Sequence, residues 1–78
     1  MDAREIKSNH ERLLRNLKIL QTFYSREELA RAIGVSKNTW NNRMKEPWRL
    51  FGIDDFRCIA SYCRIDFVKL VDGEINIG

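Results

Sequence analysis

The chain has 78 residues, 44% of them apolar, with a single proline, two cysteines and a formal charge of +3. These figures describe one ordered globular domain with a small core, spanning 1–78 with its body at about 4–73 and a tail at 74–78, and argue against an added catalytic or ligand-binding domain. No apolar run approaches the ~20 residues that cross a bilayer, and the start, MDAREIKSNHERL, lacks the apolar segment of a secretory signal, so a cytoplasmic location is expected.

Charge is unevenly spread. Residues 1–24 carry five basic and three acidic groups, residues 25–50 six and three, and residues 51–78 three and five. A basic middle beside an acidic end suits a domain that turns one face toward phosphates.

Residues 4–22 predict a first helix, with Ile6, Leu13, Leu17 and Leu20 on one stripe, Leu14 widening it, and Phe23 covering its end. Arg12, Arg15 and Lys18 lie off that stripe, as on a solvated face. His10 is the only histidine, so neither a triad nor a multi-histidine metal site is available, and it reads as an exposed helix residue.

Ser25 starts a second helix, with Glu28 placed to complete a capping box and Leu29, Ala30 and Ile33 on one face. Gly34 stops it, because glycine alone enters the left-handed region freely. After Val35, Ser36 caps a third helix, KNTWNNRMKE, in which Trp40 and Met44 point inward and Pro47 closes the run. Small Ala30 lets the two helices cross closely. Two short helices joined by a tight glycine turn make a helix-turn-helix, whose second member enters the DNA major groove.

The outer face of that third helix carries Lys37, Asn41 and Lys45 at i, i+4 spacing, with Asn38 and Asn42 beside them and no carboxylate before Glu46. Asparagine is a mediocre helix former, but it pairs bidentately with adenine, and lysine reaches guanine acceptors or phosphate. Trp48 either plugs the core under this helix or lies against the sugar-phosphate backbone beside Arg49.

The chain turns through WRLFG, and Gly52 caps a fourth helix flanked by a Phe51–Phe56 staple. Asp54 and Asp55 in its first turn favour the helix dipole and are not an acid/base dyad. Phe56, Ile59, Ala60 and Cys63 form its inner stripe; Asp66 caps a short fifth helix, FVKLV, ended by Gly73. Cys58 and Cys63 diverge by ~140° on one helix, so they are expected to be free, mostly packed thiols, with no metal-ligand spacing. The tail, GEINIG, alternates Ile75 and Ile77 and is either a short strand for a partner or a frayed end.

SREELARAIGVSKNT, from Ser25 to Thr39, resembles the S-Q-E-E-L-A-x-x-x-G-V-S-x-x-T pattern of the phage lambda repressor and Cro superfamily, which includes the xenobiotic-response-element-like bacterial regulators. Arg26 stands where that family usually has glutamine, and Arg43 where many members have an apolar residue. Downstream, IDDFRCIASYCRIDFVKLVDG is similar to the family's L-D-x-L-x-x-I-A-x-x-L helix and short final helix, with Ile59 and Ala60 matching, so the likeness spans residues 10–73. The resemblance implies a compact all-α, five-helix domain that binds double-stranded DNA, usually as a homodimer on a palindromic operator. It also implies phosphate contacts from the loop that holds Arg49.

The expected function is therefore a sequence-specific transcriptional regulator, a repressor of phage or prophage type. Affinity is expected from Arg26, Lys37, Lys45 and Arg49, with Ser36 at the start of the reading helix, and specificity mainly from Asn38, Asn41 and Asn42. Phe67, Val71, Ile75 and Ile77 are the dimerisation candidates. No enzyme activity, cofactor, metal or small-molecule ligand is expected. The alternatives are a helical protein-interaction module without DNA contact, or an antitoxin or excisionase that keeps it.

Overall fold

Most helix ends in this chain are set by hydrogen bonds that reach only a few residues. The computed structural model describes residues 3–75, with side chains described for residues 9–75; the side chain of Ile6 and all of Ile77 lie outside them. The described residues form α1 (Ala3–Phe23), α2 (Arg26–Ala32), α3 (Lys37–Arg43), α4 (Pro47–Leu50), α5 (Ile53–Cys63) and α6 (Phe67–Asp72), with no strand among them. The described residues are all-helical in their regular structure, with one more helix among them than the five expected.

Ser25 Oγ accepts the Glu28 N–H at 3.0 Å, and the Glu28 carboxylate accepts the Ser25 N–H at 3.4 Å, completing the capping box. Ser36 Oγ accepts from the Thr39 N–H at 3.1 Å, and the Asp66 carboxylate from the Val68 N–H at 2.9 Å. Past α2, Gly34 has a φ of +76°, and the N–H groups of Gly34 and Val35 return to the carbonyls of Arg31 and Ala30. That is a Schellman closure, with glycine where a Cβ would be strained. The end of α5 closes likewise on Arg64 at φ 57°, a conformation that costs a non-glycine residue about 1–2 kcal/mol.

The third helix is shorter than its sequence suggests. It ends at Arg43, and the N–H groups of Lys45 and Glu46 bond to the carbonyls of Asn42 and Arg43 in a tightened turn. Pro47 bars Glu46 from the α region, and Glu46 adopts φ −143°, ψ 70°. The same proline, whose missing N–H is harmless at a first helical position, opens α4 where only a turn was expected.

The core gathers Leu13, Leu17 and Leu20 of α1, Leu29 and Ala30 of α2, Trp40 of α3, Phe51, and Phe56, Ile59, Ala60 and Cys63 of α5, with Leu70 and Ile75 beyond. Each fully buried leucine or isoleucine in it contributes about 1.5–3 kcal/mol. Helix α1 packs on α4 and α6, α2 on α3 and α5, and α5 on α6. The Cα radius of gyration, 11.9 Å, matches the ~11.5 Å of a compact domain of this length. The rings of Phe51 and Phe56 lie 5.6 Å apart across Gly52, as the staple requires. Phe23, expected over the end of the α1 stripe, is exposed; Tyr24 packs against the core there instead.

One buried polar residue joins the two ends of the fold. Asn16, 1% exposed on the inner side of α1, donates its amide to the carbonyls of Leu70 and Gly73 at 2.9 Å and of Lys69 at 3.2 Å. Its Oδ1 accepts the Ile75 N–H at 3.5 Å. The last carbonyls of a helix have no partner within it, so Asn16 acts as a remote C-cap for α6. Arg12 and Arg15, expected on a solvated face, also fasten this end: Arg12 donates to the Asp72 carbonyl at 3.2 Å and Arg15 pairs with Glu74 at 3.4 Å.

Candidate nucleic-acid interface

The geometry of the outer face of α3 follows from its one buried residue. Trp40 faces the core, its indole N–H donating to Gln21 Oε1 at 2.9 Å and its ring 5.1 Å from that of Phe51. With that side anchored, Lys37, Asn38 and Asn42 project from exposed positions, and Asn41 is half-buried toward α2. Lys45 is exposed but lies in the turn beyond the helix end, so it does not continue the Lys37–Asn41 row as a regular helix would place it.

The first turn of α2 reaches across to this face at two points. Arg26 donates to Asn41 Oδ1 at 3.2 Å, and Glu27 lies 3.7 Å from the Lys37 ammonium. Among the described residues no side-chain hydrogen bond or ion pair engages Asn38, Asn42 or Lys45. Ser36 is occupied as a cap and also meets the Thr39 hydroxyl at 3.0 Å. Arg43 turns inward: it pairs with Asp55 at 3.1 Å and lies over the Phe51 ring, while Met44 packs beside the core. Asp55 also accepts the Gly52 N–H at 2.9 Å, so a single carboxylate ties the end of α3 to the start of α5.

Arg49 is exposed on α4 and paired with Glu46. Trp48 does not plug the core; it is 37% exposed and stacks on His10, with ring centroids 4.5 Å apart and planes 6° from parallel. His10 is thus half-buried against α4, not the free helix residue its sequence context suggests. Of the thiols, Cys63 is buried, which pushes it up to about 11, and Cys58 is exposed rather than packed. Phe67 and Val71 of α6 are half-buried, Val68 between them is 60% exposed, and Ile75 sits in the chain's own core at 8%. Ile75 therefore offers little surface to a second chain.

Behind α2, Tyr62 of α5 donates its hydroxyl to Glu28 at 2.9 Å. That bond, with the Ser25 N–H, holds the Glu28 carboxyl below its ordinary 4.5 and raises the Tyr62 hydroxyl. A carboxylate with a lowered folded-state value supports the fold above about 4.5, and this support is lost as pH falls through the lowered value. Tyr62→Phe should therefore move the Glu28 titration, followed by carboxyl NMR, up toward its ordinary position. An unmoved titration would mean that the hydroxyl contact is absent in solution.

Nothing in the local sequence signalled Glu27, Gln21, Asp55 or Tyr62 as supports of this face, because each meets its partner across a helix interface. Among the described residues no helix is long and apolar enough to cross a membrane. No protein-family model, no curated protein and no solved structure matches this chain.

Proposed function

We propose that this protein is a sequence-specific double-stranded DNA-binding regulator of transcription, a repressor of the lambda repressor and Cro type. The observation that carries the reading is the outer face of α3 and the turn that follows it, where Asn38, Asn42 and Lys45 are exposed and unengaged among the described residues. Amides on a short, core-anchored helix, with an ammonium group in the turn just past its end, are what major-groove base edges and flanking phosphates require. In this reading α2 and α3 are the helix-turn-helix, α1, α5 and α6 complete the five-helix plan, and α4 is an added turn that carries Arg49.

The protein acts as a homodimer, because one such helix spans only a few base pairs and two copies reach half-sites ~34 Å apart. The contact uses the exposed side of α6, where Val68 stands out beside Phe67 and Val71. Ile77 lies outside the described residues. Selection of bound sequences from a random DNA pool, followed by titration across salt concentrations, tests the reading. An enriched inverted repeat whose affinity falls steeply with salt is expected. No enrichment and no salt-dependent affinity would favour the rival, a protein-interaction module using the exposed Phe23, Ile53 and Val68.

A further inference from the structure

The polar residues of α3 are not equivalent, and the second helix makes them differ. Arg26 carries donors only, so a contact at 3.2 Å obliges Asn41 to turn its carbonyl oxygen toward α2. Reading adenine needs both ends of an amide at once, the oxygen accepting from N6 and the nitrogen donating to N7. Asn41 is half-buried against α2 with its oxygen already engaged, so it is poorly placed for that. Asn38 and Asn42, one turn apart on the neighbouring row, are exposed and have neither end engaged by a described residue. Arg26, for its part, keeps most of its guanidinium donors and is exposed.

We infer that Arg26 and Asn41 form a single phosphate-holding unit, with Asn41 a positioning residue for the Arg26 guanidinium, and that base identity is read by Asn38 and Asn42. This rests on the DNA-binding reading above. It departs from the expectation that all three asparagines read bases.

The test uses the full chain on its selected duplex and on a scrambled duplex, at several salt concentrations. Asn38→Ala and Asn42→Ala should each lose about 5- to 150-fold on the selected site and almost nothing on the scrambled one. Asn41→Ala should weaken both duplexes by the same factor and leave the ratio between them unchanged. Arg26→Ala should do the same and flatten the salt dependence by about one unit of slope. The double variant Arg26→Ala/Asn41→Ala should bind no more weakly than Arg26→Ala alone, because Asn41 acts through Arg26. A loss in Asn41→Ala confined to the selected site, full additivity with Arg26→Ala, or silent Asn38→Ala and Asn42→Ala variants would each overturn the assignment while leaving DNA binding standing. A parent chain that binds neither duplex removes the DNA-binding reading itself, and the assignment with it.

Discussion

Asn16→Ala should lower the stability of the fold by about 3 kcal/mol, although the hydrogen-bond partners of its side chain all lie in α6 and the residues just after it. Its amide is the donor shared by the Leu70, Gly73 and Lys69 carbonyls, and its oxygen takes the Ile75 N–H. Alanine leaves the Leu70 and Gly73 carbonyls and the Ile75 N–H without this partner, while the Lys69 carbonyl keeps the Gly73 N–H, and each buried unsatisfied group costs about 1–3 kcal/mol before relaxation. In a domain of this size the melting temperature should fall by roughly 12–24 °C. Asn16→Asp should be at least as harmful, since an ionised carboxylate presents only acceptors to three carbonyl oxygens and is buried as well. Urea unfolding measures the loss. Amide hydrogen exchange locates it: protection should drop first in α6 and around Ile75, and last in α2 and α3. A loss under about 0.5 kcal/mol in Asn16→Ala, within the range of an ordinary surface substitution, would refute the latch.

Trp40→Ala should be worse still, with about 3–5 kcal/mol lost through the cavity and the missing contacts. Trp40 is fully buried and is the one residue of α3 with no exposed surface, so α3 depends on it for attachment to the rest of the fold. Small domains are marginal, near the lower end of about 5–15 kcal/mol, so the variant should be largely unfolded at 37 °C. Trp40→Phe separates packing from hydrogen bonding. It fills much of the space but leaves Gln21 Oε1 without the indole N–H, a loss of about 1 kcal/mol beyond the volume change. Trp48, stacked on His10 at the surface, remains as the fluorescent reporter in both variants. A Trp40→Ala variant that melts with the parent would mean that α3 is held by something other than its indole.

The two variants mark where local pattern stops being informative. Trp40 stands out from its spacing alone, because an aromatic one turn from Met44 on an otherwise polar helix has only one apolar direction to face. Asn16 does not stand out. It sits beside Leu17 in a leucine-rich helix, and its partners lie 53 to 59 residues further along the chain.

The same division runs through the candidate interface. Ser25, Glu28, Gly34, Ser36 and Asp66 determined their helix ends by themselves, since a cap or a left-handed glycine needs only neighbours two to five residues away. The extra helix α4 was legible in principle, for a proline at a first helical position is a start signal as well as a stop. Which side chains of α3 are engaged and which are open was not legible. Arg26 reaches Asn41 over 15 residues, Arg43 reaches Asp55 over 12, and His10 of α1 stacks on Trp48 of α4. Hydrogen bonding within a turn is fixed by residue order, and the apolar period fixes which face goes inward. Pairing between polar side chains on different helices depends on how those helices cross, and only the packed core decides that.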